Sequence, residues 1–204
     1  MKKAALFLLS FLPIGVLNAN ATPFTVNLDT EISGATPASA PIVLTFDDSV
    51  SGTVSITMDA SSLTLGEAIT GIYLNYTGDL SVLTSFSSSV DPSVPTVSMA
   101  YDSYKADGDG FFDILLEWGV NDFDAGEIFS IDFMAPGIMA DYFNAFSVPG
   151  GGNGTWVAAA HVQSIGDGDF SGWMAGTTSQ VPEPATMLLF GAGIAGLASL
   201  RRKK

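Results

Sequence analysis

The sequence predicts an all-β fold, a single antiparallel β-sandwich or jelly-roll-like domain. Three observations carry this. Short runs rich in Val, Ile, Thr, Phe and Tyr recur along the chain, clusters of Gly, Pro, Asp, Asn and Ser separate them, and no long amphipathic helix lies between them. Strands at such regular spacing fit two packed antiparallel sheets better than alternating strands and helices.

In chain order, strands are expected over Phe24–Leu28, Ile42–Phe46, Val54–Met58, Ile69–Tyr76, Leu80–Phe86, Phe111–Trp118, Ile128–Phe133 and Trp156–Val162. The segment Thr53-Val54-Ser55-Ile56-Thr57-Met58 alternates apolar with hydroxylic residues, which puts one face of that strand in a core and the other in water. Turn signals between the runs include Asp47-Asp48, Ser51-Gly52, Gly78-Asp79, Asp91-Pro92, Asp107-Gly108-Asp109-Gly110 and Gly150-Gly151-Gly152-Asn153-Gly154. The domain is expected over residues 22–174, followed by a small polar linker over 175–180.

Both ends of the chain read as addresses. Met1-Lys2-Lys3 is a basic start, Ala4 to Val16 is apolar, and Ala19-Asn20-Ala21 fits the small-x-small cleavage rule, so residues 1–21 are expected to be a signal peptide and Thr22 the mature start. Cleavage after Ala19 is the alternative. At the other end, residues 185–200 carry no charge and, as a helix rising about 1.5 Å per residue, span roughly 24 Å. That is short of the ~30 Å bilayer core, so the expected transmembrane helix is a marginal anchor. The basic residues Arg201, Arg202, Lys203 and Lys204 keep the cytoplasmic side and place the domain outside.

These ends hold most of the positive charge. Of seven Lys and Arg only Lys105 lies between Thr22 and Gln180, and of 21 Asp and Glu only Glu183 lies beyond it, which leaves 20 acidic groups against one basic group, a formal −19. Such a domain cannot neutralise phosphates, which excludes nucleic acid as a partner. Cysteine is absent, so an exported domain must be held by its core, or by core plus metal.

The chemistry-bearing residues are few. Asp107, Asp109 and Asp113 are spaced as tentative Ca²⁺ ligands, because closely set hard oxygens on a Gly turn suit that ion. Against the EF-hand pattern, Asp107, Asp109, Gly110 and Asp113 fit the third, fifth, sixth and ninth positions, while Lys105 and Leu116 occupy the first and twelfth. An acidic turn without metal is the alternative. Asn121-Asp122-Phe123-Asp124 with Glu127, and Asp167-Gly168-Asp169, are weaker versions. His161 is the sole histidine and lies in an apolar run, which favours a structural role over a general base. One His and no Cys exclude a zinc site built on His or Cys clusters. Gly191-Ala192-Gly193-Ile194-Ala195-Gly196 matches a dinucleotide fingerprint in letters only, since no strand precedes it. Within a membrane helix the same residues give a small-residue face for another helix. Trp118, Trp156 and Trp173 with the tyrosines offer either a sugar-stacking platform or ordinary core packing, with Trp173 expected to be the most exposed.

The end of the chain resembles the PEP-CTERM sorting signal of Gram-negative bacteria. Val181, Pro182, Glu183, Pro184, Ala185 and Thr186 form its VPEPAT box, and the Gly-rich apolar segment and basic end follow in the expected order over residues 181–204. The resemblance implies an exported precursor handled by signal peptidase and the export translocon, anchored transiently in the membrane. An exosortase, a membrane-embedded cysteine transpeptidase-like enzyme, would then cleave near the box and release the domain to the cell surface or the extracellular matrix. The box residues are then recognition groups of a substrate, and exopolysaccharide is an implied neighbour. Residues 106–114 and 161–173 also look similar to the middle of some such proteins. Three functions remain on these residues: a non-enzymatic surface or matrix protein, a Ca²⁺-assisted polysaccharide-binding module, and a secreted hydrolase.

Overall fold

The structure, a computed structural model, describes residues 23–37, 41–152 and 154–179. Among them it is built from twelve strands and two short 3₁₀ turns. The strands are β1 (Phe24–Leu28), β2 (Thr30–Gly34), β3 (Ile42–Asp47), β4 (Thr53–Asp59), β5 (Ala68–Leu74), β6 (Thr84–Phe86), β7 (Thr96–Lys105), β8 (Phe111–Glu117), β9 (Ile128–Met134), β10 (Ala158–Ile165), β11 (Phe170–Gly176) and β12 (Thr178–Ser179). They form two six-stranded antiparallel sheets, one ordered β12-β1-β3-β4-β9-β6 and the other β2-β11-β10-β5-β8-β7. The all-β expectation and its two antiparallel sheets therefore hold.

Alternation explains how the first sheet faces the second. Val26, Leu28, Leu44, Phe46, Val54, Ile56, Met58, Phe129 and Phe133 turn inward and are buried, while Thr45, Ser55, Thr57 and Asp132 turn outward. The second sheet supplies Ile72, Leu74, Ile114, Leu116, Ala158, Ala160 and Val162 to the same core. Phe46, Phe133 and Tyr76 surround Phe143 with ring centroids 5.0–5.8 Å apart. Trp118 packs on Phe123 and Phe129 at 5.2 and 5.3 Å. These aromatic contacts anchor the two halves of a core that no disulfide supports.

Several expected elements differ from the structure, each for a local reason. The run expected as one strand over 80–86 begins as a 3₁₀ turn, Leu80–Val82, because Asp79 accepts the Ser81 N–H at 2.9 Å and caps a turn in place of pairing. Trp156 and Val157 precede β10, which starts at Ala158. The expected linker over 175–180 overlaps folded structure: β11 runs through Gly176 and β12 follows at Thr178–Ser179. Its small residues are there because backbone passes close. A Cβ on Gly172 would strike the Ala35 carbonyl, and one on Gly176 the Asn27 carbonyl. The strands β2, β7, β11 and β12 have no counterpart among the expected runs.

Candidate functional site

The chemistry-bearing residues gather on the outer face of the second sheet, where the β7–β8 hairpin folds over. Register explains the fold-over. Met99 pairs with Ile114 and Tyr104 with Phe112, so four residues, Ala100 to Ser103, stand opposite Asp113 alone. Such a bulge bends and twists a hairpin. Asp102 takes φ 48° in the bend, and the buried Asp113 carboxylate holds it, accepting the Asp102 N–H at 2.8 Å and the Tyr76 N–H at 2.9 Å. Beyond the bend the hairpin crosses the sheet. At its tip the Asp107 carboxylate accepts the hydroxyl of Ser33 on β2, the edge strand farthest from β7.

A second, smaller core lies beneath the crossing hairpin. Ala106, Phe112, Ala159 and Ala175 are fully buried there, with Ile32, Tyr73, Tyr104, Trp156 and Trp173 packed around them half-buried. Ala159 sits on β10 and Ala175 on β11, where small side chains let the hairpin lie close. Phe112 meets Tyr73 edge-on at 5.9 Å, and Tyr73 meets Trp173 at 5.2 Å.

Along its border runs one cross-strand row: Ser33, Trp173, His161, Gly71, Glu117 and Thr96. His161 stacks on Trp173 at 4.4 Å and 25°, and its Nδ1 shares a 2.8 Å hydrogen bond with the Thr70 hydroxyl. Burial pushes the His161 pKa down, with the Asp107 charge pulling the other way, so the ring stays neutral over a wider range than a solvated imidazole. Tyr73 is pushed up to about 12, first by burial and then by Glu117.

The acidic turn is closed by the glycine-rich loop. Phe111 and Val148 exchange N–H···O bonds of 2.7 and 3.1 Å, and Ser147 donates its N–H to the Trp156 carbonyl at 2.8 Å while its hydroxyl accepts the Trp156 N–H at 3.0 Å. Asn75 knits the loop base, donating to the carbonyls of Ala145, Trp156 and Val157 at 3.0–3.2 Å. Gly110, at φ 87°, makes the tight exit from the turn, and Gly152 passes so close to the Asp109 carboxylate that a Cβ would collide with it.

The expected calcium ligands therefore do not form one set. Asp107 bonds Ser33, Asp113 is spent on two backbone N–H groups inside the hairpin bend, and Asp109 is buried under Gly152 with its Oδ1 unpartnered. Among the described residues no three His, Asp or Glu side chains converge on a point a metal could occupy. Alternate carboxylates on a bulged, bent hairpin diverge, whereas the spacing rule presumes a loop that wraps around an ion. The weaker acidic run contributes caps: Asp122 accepts the Gly119 N–H at 3.1 Å and Glu127 the Asp124 N–H at 2.6 Å. Burial raises the Glu127 pKa, the Asp124 N–H lowers it, and the charges of Asp91 and Asp124 raise it further.

The tryptophans separate. Trp118 belongs to the main core and donates Nε1–H to the Ser93 carbonyl at 2.8 Å, while Trp156 and Trp173 reach the outer-face cluster. Trp173, expected to be the most exposed, is half-buried between Tyr73 and His161. The sequence gives no sign of Thr70, Ser33 or Glu117 at this site, and offers Tyr73 only as one of five tyrosines. The one signal available was Gly71 before Tyr73 within an apolar strand, a mark of close approach.

Val181, Pro182, Glu183, Pro184, Ala185, Thr186, Arg201, Arg202, Lys203 and Lys204 lie outside the described residues, as do the signal peptide over 1–21 and the apolar segment over 185–200. Among the described residues no helix is long and apolar enough to cross a membrane.

A two-sheet antiparallel sandwich with a strongly acidic surface is the class of protein that the fold and composition define. The tail says more: residues 180–203 match the family model described as the PEP-CTERM protein-sorting motif. The chain thus carries a PEP-CTERM sorting motif, which implies export of a membrane-anchored precursor processed by an exosortase-type membrane enzyme. Comparisons with curated proteins and with solved structures gave no match.

Proposed function

We propose that this chain is a non-enzymatic cell-surface or extracellular-matrix protein, anchored transiently through residues 185–200 and released by exosortase cleavage near Pro182-Glu183-Pro184. The observation that carries this is the sorting motif matched over 180–203, immediately after a folded domain. The setting of the sole histidine argues against one enzymatic route, a Thr–His nucleophile pair. Its Nδ1 is occupied by Thr70, a hydroxyl 8% exposed and so closed to a substrate, and its ring is stacked on Trp173. Intact mass spectrometry of envelope and secreted fractions tests the reading. Mature protein lacking the mass of the tail is expected, and full-length tail through Lys204 on all mature protein overturns it.

A second reading, compatible with the first, is polysaccharide binding by the outer face of the second sheet. It is favoured by the convergence of half-buried Tyr73, Tyr104, Trp156, Trp173 and His161 in one row and cluster, where flat apolar sugar faces can stack. Among the described residues its calcium component has no three-carboxylate ligand set to rest on. Affinity electrophoresis through gel containing the producing cells' soluble exopolysaccharide is expected to retard the wild type and not Trp173→Ala. Equal mobility of both with and without polysaccharide counts against this reading.

A further inference from the structure

We infer that strand β12 is a releasable clasp that governs access of the processing enzyme to the sorting motif. The inference rests on exosortase processing as proposed above and adds its regulation.

The geometry comes from the end of the folded domain. β11 belongs to the second sheet and ends at Gly176, whose carbonyl accepts the Val157 N–H at 3.0 Å and where an added Cβ would strike the Asn27 carbonyl. The chain then steps across the sandwich through exposed Thr177 and enters the first sheet as β12, an edge strand of two residues. There Thr178 pairs with Val26 and Ser179 with Thr25. The sorting motif begins at the next residue, Gln180.

Reach is the consequence. From Ser179 to Pro182 is three residues, at most about 10 Å of extended chain. A compact domain of this size has a radius of gyration of about 15 Å. With β12 paired, the sandwich would sit against any enzyme that grips the box at the membrane surface. Releasing β12 frees Thr177, Thr178 and Ser179 and adds about 10 Å of tether. Release stops at Gly176, which is locked between the sheets. With two residues β12 is the shortest of the described strands and lies at a sheet edge, and local opening of such an element leaves the rest intact. Where opening is fast, cleavage tracks the fraction of time the clasp is open.

The test uses the full chain in cells carrying the processing enzyme, followed by pulse-chase and intact mass. Because the protein has no cysteine, the double variant Thr25→Cys/Ser179→Cys can pin β12 to β1 with a single disulfide, seen on a non-reducing gel. Pinning is expected to slow tail removal about tenfold or more, since the open fraction is removed. Each single-Cys variant should process normally, as should the double variant in isolated envelopes after reduction. A spacer of about six Gly and Ser residues after Ser179, roughly 20 Å extended, should restore processing of the pinned chain. Processing of the pinned chain at the wild-type rate overturns the clasp, and so does failure of the spacer to rescue it. Should the bridge not form, the spacer alone decides: faster processing than wild type supports the clasp and an unchanged rate overturns it. Wild-type protein that keeps its tail throughout instead overturns the processing reading itself.

Discussion

The two outer faces of the sandwich are opposites. On the first sheet the outward residues form a polar ladder: Ser55 donates to Asp132 at 2.6 Å, and Thr57 and Ser130 share a 3.0 Å bond across the neighbouring pair. On the second sheet the outward residues include Ala159, Ala175, Tyr73 and Trp173, and a bent hairpin buries the two alanines and packs against the half-buried rings. One face meets water through hydroxyls, and the other is half of a second core. On the second sheet large aromatic side chains stand on an outer face because part of the chain itself shields them.

The largest expected effect comes from removing the shield's anchor. Phe112 is fully buried between the hairpin and the sheet, so Phe112→Ala should destabilise by about 3–5 kcal/mol. Thr57→Ala on the opposite face should stay within about 0.5 kcal/mol. Urea unfolding of both variants measures the gap. A Phe112→Ala cost as small as that of Thr57→Ala would show that the hairpin is a loose flap and the second core no core.

Asp113 sharpens the same contrast at lower cost. Its carboxylate accepts two N–H groups inside the hairpin bend, and hydrogen bonds to charged groups contribute more than neutral ones. Asp113→Ala is expected to cost about 3 kcal/mol, with hydrogen exchange rising at Asp102 and Tyr76. Asp107→Ala removes one exposed carboxylate bond to Ser33 and should cost under about 1 kcal/mol. Equal costs would mean that the tip, and not the bend, fixes the hairpin.

The same contrast sets what the sequence could reveal. The alternation from Thr53 to Met58 is legible because that strand has one wet face and one dry face. On the second sheet, Ala158-Ala159-Ala160 and most of β5 are buried on both sides, so periodicity is lost although strand identity survives. Phe170–Gly176 was illegible because its glycines are imposed by carbonyls arriving from Ala35 and Asn27, distant in sequence. The acidic turn is legible in the sequence, but the direction of its carboxylates depends on a bulge that no local spacing encodes. The apolar run around His161 is legible in the sequence, whereas its stacking on Trp173 depends on the β10–β11 register.

The smallest expected effect tests the border between the two environments through pH. His161 has a folded pKa below its ordinary value of about 6.5, chiefly because burial disfavours the charged ring. Below about 6.5 the unfolded chain therefore takes up a proton that the folded chain resists, and stability falls as pH drops, levelling once the folded ring is also protonated. Glu127 runs the other way. Its folded pKa is raised, first by burial, so its contribution is complete below its ordinary value and is lost as pH rises through the raised one. The two contributions slope in opposite directions, and the raw pH profile reports only their sum. Subtracting the profile of His161→Gln separates them. The difference between wild type and variant should favour the wild type progressively less as pH falls from about 7 toward 5. The same titration should change Trp173 fluorescence as the stacked ring gains charge, with Trp118 and Trp156 replaced by Phe to isolate it. A flat difference profile with unchanged emission would place His161 in a solvated setting and break the picture of a shielded face.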